Sequence, residues 1–188
     1  MSMHEGRSST LKSDPNFEIL TQDFFARPAP DVAPDLLGKY LIRSINGTEI
    51  VTVITETEAY EGREDLACHA SKGRTRRTEV LFGQPGRFYV YLIYGIHQML
   101  NVVTNVEEAP SAVLIRAVDQ VSGPGRLTRA LEVGKDLNGL PAQRSSGLWF
   151  EDRGIRIPQN DIQRSARIGV DYAGPIWAKK PWRFQATG

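Results

Sequence analysis

The dipeptide Asn46-Gly47 constrains this chain more than any other two residues. It separates LIRSI (41–45) from EIVTVITETEAY (49–60), two runs rich in β-branched residues. Asn and Gly accept the positive φ of a two-residue hairpin turn, so the runs are expected to pair as antiparallel strands. Side chains alternate along a strand. That puts Glu56, Glu58 and Tyr60 on one face, and Thr55, Thr57 and Ala59 on the other. A core strand therefore leaves this hairpin carrying two carboxylates and a phenol together, with His69 on the following loop.

The alternation returns downstream. RFYVYLIY (87–94) and GIHQMLNVV (95–103) read as a second hairpin, with Phe88, Val90 and Leu92 facing one way and Tyr89, Tyr91 and Ile93 the other. Tyr94-Gly95 then falls where the chain must turn. SAVLIRAVD (111–119) is another strand, and LWFED (148–152), GIRI (154–157) and ARIGV (166–170) are expected as short ones. Helices are expected after Thr21, over 31–40 with Gly38 marking the end, and from Pro124 to a stop at Gly134. Residues 1–16 read as a loose tail and 136–146 as loop. No βαβ rhythm appears. The expected fold is α+β: a single domain over 17–188, built on a largely antiparallel curved sheet with a protruding β-hairpin and flanking helices.

The chain has 188 residues, enough for one substantial core. A single cysteine, Cys68, excludes an intrachain disulfide and a Cys-rich zinc site, and no apolar run approaches a membrane span. No signal-like segment opens the chain, so a cytoplasmic location is expected. The net charge of +1 says little, but the cations are clustered: Lys72, Arg74, Arg76 and Arg77; then Arg126, Arg129 and Lys135; then Lys179, Lys180 and Arg183. Such groups suit a phosphate backbone, or plain solvation.

A carboxylate at the mouth of a core strand suits general-base work if its pKa and geometry permit. The opposing reading makes both glutamates solvated and His69 structural. A metal held by Glu, His69 and Cys68 finds no support in an HExxH or paired-cysteine pattern. Tyr94 is harder to dismiss, since an aromatic at a hairpin tip has little core to join. It suits a wedge inserted into a base stack. Wedge, aromatic slot, carboxylate and phosphate clamps together describe a base-flipping enzyme.

These stretches resemble the alkyladenine, or 3-methyladenine, DNA glycosylase family, in its bacterial form. The matching blocks are TEAYEGREDLACH, GRFYVYLIYGIHQMLNVV, AVLIRAV, GPGRLTRAL, RIGVDYAG and the KPWRF tail, in the family's order from about Phe24 to Phe184. The resemblance implies that Glu58 is the general base and that Arg116 stands beside it and the attacking water. It implies stacking by Tyr60, His69 and Tyr91, a pocket role for Asn101, a wedge at Tyr94, and Ile168 in place of a pocket-lining valine. It further implies a monofunctional enzyme without metal or organic cofactor, acting as a monomer on double-stranded DNA that contains damaged purines, in the nucleoid if bacterial. Backbone contacts are expected from Arg74, Arg76, Arg77, Arg126 and Arg129. Two rival readings are a catalytically silent DNA-distorting binder, which needs a solvated Glu58, and a hydrolase of free nucleosides, which leaves Tyr94 and the basic loop without a task.

Overall fold

The structure, a computed structural model, describes residues 17–187; the expected tail lies outside them. Its elements in chain order are β1 (Glu18–Ile19), α1 (Gln22–Phe25), α2 (Ala29–Asp35), β2 (Tyr40–Ile45), β3 (Thr48–Glu61), β4 (Phe88–Ile93), β5 (His97–Thr104), β6 (Ser111–Val118), β7 (Val121–Ser122), α3 (Pro124–Ala130), β8 (Leu148–Asp152), β9 (Ile162–Ser165), α4 (Gly174–Trp177) and β10 (Arg183–Ala186). The strands form one sheet in the order β1-β8-β2-β3-β6-β5-β4, with β10 joining β3 to β9 and β7 on β6. All of its pairings are antiparallel, so the expected α+β domain is present.

Both hairpins form where the turn residues place them. Asn46 and Gly47 both take positive φ, and β2 pairs with β3 from Tyr40–Val53 to Ile45–Thr48. The β4–β5 hairpin turns through Tyr94 (φ 52°) and Gly95 (φ 70°). Strand β3 is the organising strand. Its first half pairs with β2, and its second half lies between β6 and β10.

The alternation of the strands separates two layers. Phe88, Val90, Leu100, Val102, Val113 and Ile115 point to the main core, where Val32 and Ala33 of α2 and Leu127 of α3 cover them. Tyr89, Val103 and Ala112 point the other way, into a smaller cluster with Cys68, Leu81 and Phe82 from the 62–82 segment. One face of the sheet thus supplies stability, while the other is roofed by loop and holds the candidate site.

Several local expectations are corrected. The helix expected over 31–40 runs from Ala29 to Asp35, because Pro28 and Pro30 preset its first turn and the Ala29 N–H is held by Glu61 Oε2 at 2.6 Å. Tyr40 is already in β2, and Gly38 serves the crossing between them, with φ 79° and Ile155 where a Cβ would stand. Helix α3 ends at Ala130, short of Gly134, and Glu132 takes the left-handed conformation. Thr21 precedes α1 without a side-chain cap bond. GIRI and ARIGV are not strands. Their places in the sheet go to β9 and β10, and the ARIGV backbone is drawn into the candidate site described below.

Phe150 is fully buried against Phe25 and Phe88, with ring centroids 5.5 and 5.9 Å away. Phe150→Ala is expected to cost about 3–5 kcal/mol, the usual penalty for emptying an aromatic site in a core. Thermal unfolding checks it, with a drop of roughly 10 °C expected.

Candidate active site

The register of β3 on β6 breaks twice, between Ile54 and Glu56 and between Glu56 and Thr57. The first break leaves Thr55 without a partner, and the second leaves Arg116 of β6 without one. An extra residue bends a strand and re-aims its side chains. Here Arg116 comes to lie against both glutamates. Its Nε donates to Glu56 Oε1 at 2.8 Å, and its Nη1 lies 3.4 Å from Glu58 Oε1.

The two carboxylates are then distinguished by their surroundings. Glu56 also accepts from Arg183 Nε at 2.6 Å. Burial pushes its carboxyl up, but the bonds from Arg183 and Arg116 prevail and hold it below the usual range. Glu56 is a committed anion between two guanidinium groups. Glu58 is 0% exposed, and burial raises its pKa above that of an ordinary glutamate despite the Arg116 charge. Its Oε1 accepts from the backbone N–H of Ile168 at 2.8 Å, and its Oε2 from the Tyr60 hydroxyl at 2.7 Å. Burial and then the Glu58 charge keep the Tyr60 phenol protonated, so it acts as the donor. The solvated reading of the glutamates is thereby removed.

Beside this carboxylate opens a cavity of about 510 Å³. Tyr60, Arg116 and Ile168, the three contacts of Glu58, line it, while Glu58 itself lies just behind them. His69, Tyr89, Tyr91, Tyr94 and Asn101 also line it. His69 Nδ1 shares a hydrogen bond of 2.9 Å with the Tyr89 hydroxyl, and its ring meets Tyr91 edge-on at 4.5 Å. Burial first, and the Arg77 charge second, push the His69 pKa down to about 4, so the imidazole is neutral near pH 7. Asn101 spends both amide protons on the carbonyls of Tyr89 (3.1 Å) and Met99 (3.4 Å), leaving its side-chain oxygen as the free acceptor. Every residue expected at the base pocket is therefore on one wall or another of a single cavity.

Residues 23–122 and 118–188 match the family model of methylpurine-DNA glycosylase. The chain is 45% identical to a protein of Methanocella arvoryzae over 88% of its own length and 91% of that protein's. It is 47% identical to one from Myxococcus xanthus, covering 88% of each chain, and 44% identical to one from an Anaeromyxobacter species, covering 90% and 89%. All three are named, provisionally, as 3-methyladenine DNA glycosylases. The chain belongs to the methylpurine-DNA glycosylase family. It is thus an enzyme of the DNA glycosylase class.

The cations expected to serve this glycosylase divide into two kinds. Arg76, Arg77, Arg126 and Arg129 are exposed. Arg77 also stacks over Tyr91 at 5.2 Å and so belongs to the cavity wall. Arg76 and Arg77 meet Lys135 and Asn138 around a second groove of about 530 Å³ along β4, the last strand of the sheet, with no acid among the described residues that line it. Arg74 is engaged elsewhere, paired with Glu79 and Glu108 and stacked over Phe82. The third basic group is dispersed: Arg183 serves Glu56, and Lys180 lies over Trp177 and Trp182.

Sequence reasoning passed over part of the glycosylase site. Tyr89, given no role from the sequence, both lines the cavity and anchors His69; its alternation with Tyr91 was the available signal. Asp65 and Arg167 form a buried ion pair behind Tyr60 that no spacing reveals. Cys68 is buried in the cavity wall with its thiol pushed up to about 12 by burial, so it is unreactive. Among the described residues no group of three or more His, Cys, Asp or Glu is arranged to hold a metal, and no helix is long and apolar enough to cross a membrane.

The His69 ring is expected to titrate near pH 4 by NMR, well below a free histidine. The sign for stability follows from linkage. The unfolded chain binds a proton at this residue below its ordinary pKa of about 6.5, and the folded chain does not, so stability falls as pH drops from there towards 4. His69→Gln removes that part of the pH dependence of the unfolding free energy.

Proposed function

We propose that the chain is a monofunctional hydrolase that flips an alkylated purine out of duplex DNA and cleaves its N-glycosidic bond. The observation that carries this reading is Glu58: a fully buried carboxylate of raised pKa, held by Arg116, Tyr60 and Ile168 on the edge of an aromatic cavity. A water at the wall formed by Arg116 and Ile168 attacks the sugar C1′ and gives its proton to Glu58. The base departs with the electrons of the glycosidic bond. An alkylated purine that carries positive charge leaves as a neutral base, so the protein needs chiefly to place the water and to stabilise an oxocarbenium-like sugar. Hydrolysis without lyase chemistry is favoured by the cavity lining, which among the described residues contains no lysine to form a Schiff base.

The walls suit such a base. Tyr60 and Tyr91 offer ring faces to a cationic purine, and a neutral His69 does not repel it. Asn101 offers an acceptor, so the base edge facing it must donate. Tyr94, 86% exposed at the hairpin tip, fills the gap in the stack. Arg76 and Arg77, with Lys135, and Arg126 and Arg129 on α3 meet the phosphates. In this reading the protein acts as a monomer on cytoplasmic, nucleoid DNA. Tyr94 and the basic groove set this reading above hydrolysis of free nucleosides.

Glu58→Gln keeps the shape of the site but removes the base. Single-turnover release of methylated purine is expected to fall on the order of a hundredfold or more, with binding to lesion-containing duplex retained. In the unsubstituted protein the same rate should decline as pH falls through the raised pKa of Glu58, because only the carboxylate form accepts the proton. Excision near the unsubstituted rate in Glu58→Gln would remove Glu58 from the mechanism.

Tyr94→Ala should leave thermal stability within about 0.5 kcal/mol, as expected for a side chain outside the core. It should slow excision most where the lesion is well paired, since unstacking then costs roughly a few kcal/mol. The deficit should shrink when the lesion sits in a mismatch. Uniform losses on both duplexes together with a lowered melting temperature would instead mark Tyr94 as structural.

A further inference from the structure

Arg167 has no part in the steps above, yet its side chain is fully buried, as is that of Asp65. The two meet as a fork, Nη1 to Oδ2 at 2.5 Å and Nη2 to Oδ1 at 2.9 Å. The same two nitrogens donate to the carbonyls of Ala59 (2.8 Å) and Trp177 (3.0 Å). The guanidinium lies over the ring of Tyr60 at 4.8 Å and that of Trp182 at 5.2 Å. Asp65 also accepts from the backbone N–H groups of Glu61 (3.1 Å) and Ala67 (3.0 Å).

Three of these positions adjoin cavity residues, while Trp177 and Trp182 lie away from the cavity lining. Ala59 stands between Glu58 and Tyr60, Ala67 leads into Cys68 and His69, and Arg167 precedes Ile168. Ile168 N–H and Tyr60 O–H are the two donors on the Glu58 oxygens. Stability alone accounts poorly for this arrangement. A buried ion pair gains little over apolar side chains of the same volume, and the Arg167 Nε has no hydrogen-bond partner among the described residues. What a planar fork provides is direction: four acceptors and two rings are placed around one rigid group.

We infer that the Asp65–Arg167 pair is a positioning device for the Glu58 carboxylate, setting the Ile168 N–H and the Tyr60 hydroxyl against its two oxygens. This inference rests on Glu58 as the general base. The groups facing Glu58 are Arg116 from β6, Glu56 and Tyr60 from its own strand, Tyr91 from β4 and Arg167 from the 166–170 segment, with Arg183 opposite it on β10. Arg116, the Ile168 N–H, the Tyr60 hydroxyl and Arg167 hold the Glu58 carboxyl down against burial. Loosening the Ile168 donor and removing the Arg167 charge therefore moves the pKa of Glu58 up.

The test is the paired replacement Asp65→Leu with Arg167→Met, which removes both charges together, alongside the single replacement Arg167→Lys. Three quantities are measured: melting temperature, affinity for a dimethyl-sulfate-treated duplex, and single-turnover release of methylated purines from it as a function of pH. The paired variant is expected to bind with about the affinity of the unsubstituted protein. Its maximal rate should be lower by roughly tenfold or more, the penalty of a displaced catalytic group, and the acidic limb of its pH profile should lie at higher pH. Arg167→Lys keeps the charge but not the fork, so it should lose rate at saturating enzyme and move the pH limb in the same direction by less than the paired variant does. If the paired variant does not fold, Arg167→Lys decides by its rate alone. A variant with a changed melting temperature but an unchanged rate and pH profile would make the pair an ordinary structural ion pair and overturn the inference. Absence of release by the unsubstituted protein would instead sink the proposed function, so the two failures are separable.

Discussion

Arg116 is able to reach Glu56 and Glu58 because β6 carries one residue more than β3 requires at that point. A regular ladder would have paired it across the strands. The bulge frees its side chain to lie along the carboxylates, and the earlier bulge at Thr55 offsets it, so the pairing from Thr57 onward keeps the register it had at Ile54. Two compensating register breaks therefore create a cation between two anions on the cavity face, without interrupting the sheet that carries the core.

Placing charge in this interior is costly, and the protein offsets it in two different ways. Glu56 is compensated fully by two arginines and stays ionised. Glu58 is compensated only in part, by Arg116 at longer range, two neutral donors and the weaker influence of Arg167, and its pKa rises. The same strand thus holds a structural carboxylate and a responsive one two residues apart. Burial and partner count separate their roles, which their chemical identity cannot. The neutral His69 follows the same logic, since burial beside a cation suppresses its charged form.

The two-layer arrangement explains how such a site coexists with a stable domain. Helices α2 and α3 cover one face of the sheet and close the main core. The opposite face is covered by segments without long regular elements, the 62–82 loop and residues 166–177, whose backbone donors are available to side chains. The Ile168 N–H goes to Glu58 for this reason; in a strand it would have been consumed by a neighbour.

Much of this was legible in the residues. The Asn46-Gly47 turn, the alternation of 49–60 and the Tyr-x-Tyr pattern of 89–91 depend on local backbone sterics and a period of two, and these determine the hairpins, the sheet and the faces on which Glu58, Tyr60 and Tyr91 stand. The exposed tip at Tyr94 follows from the same turn. What separates Glu56 from Glu58 was not legible, because it depends on Arg183, Arg116 and Ile168, which arrive from 127, 60 and 110 positions away. The ARIGV segment has the composition of a strand but is claimed by Glu58 and Asp65, and Arg74 sits in a basic run but is taken by two acids. Local sterics decided the strands, and the sequence alone determines them. Burial and long-range pairing decided which carboxylate is buried with a raised pKa, which cations are free and what holds the cavity wall, and only the tertiary structure brings those partners together.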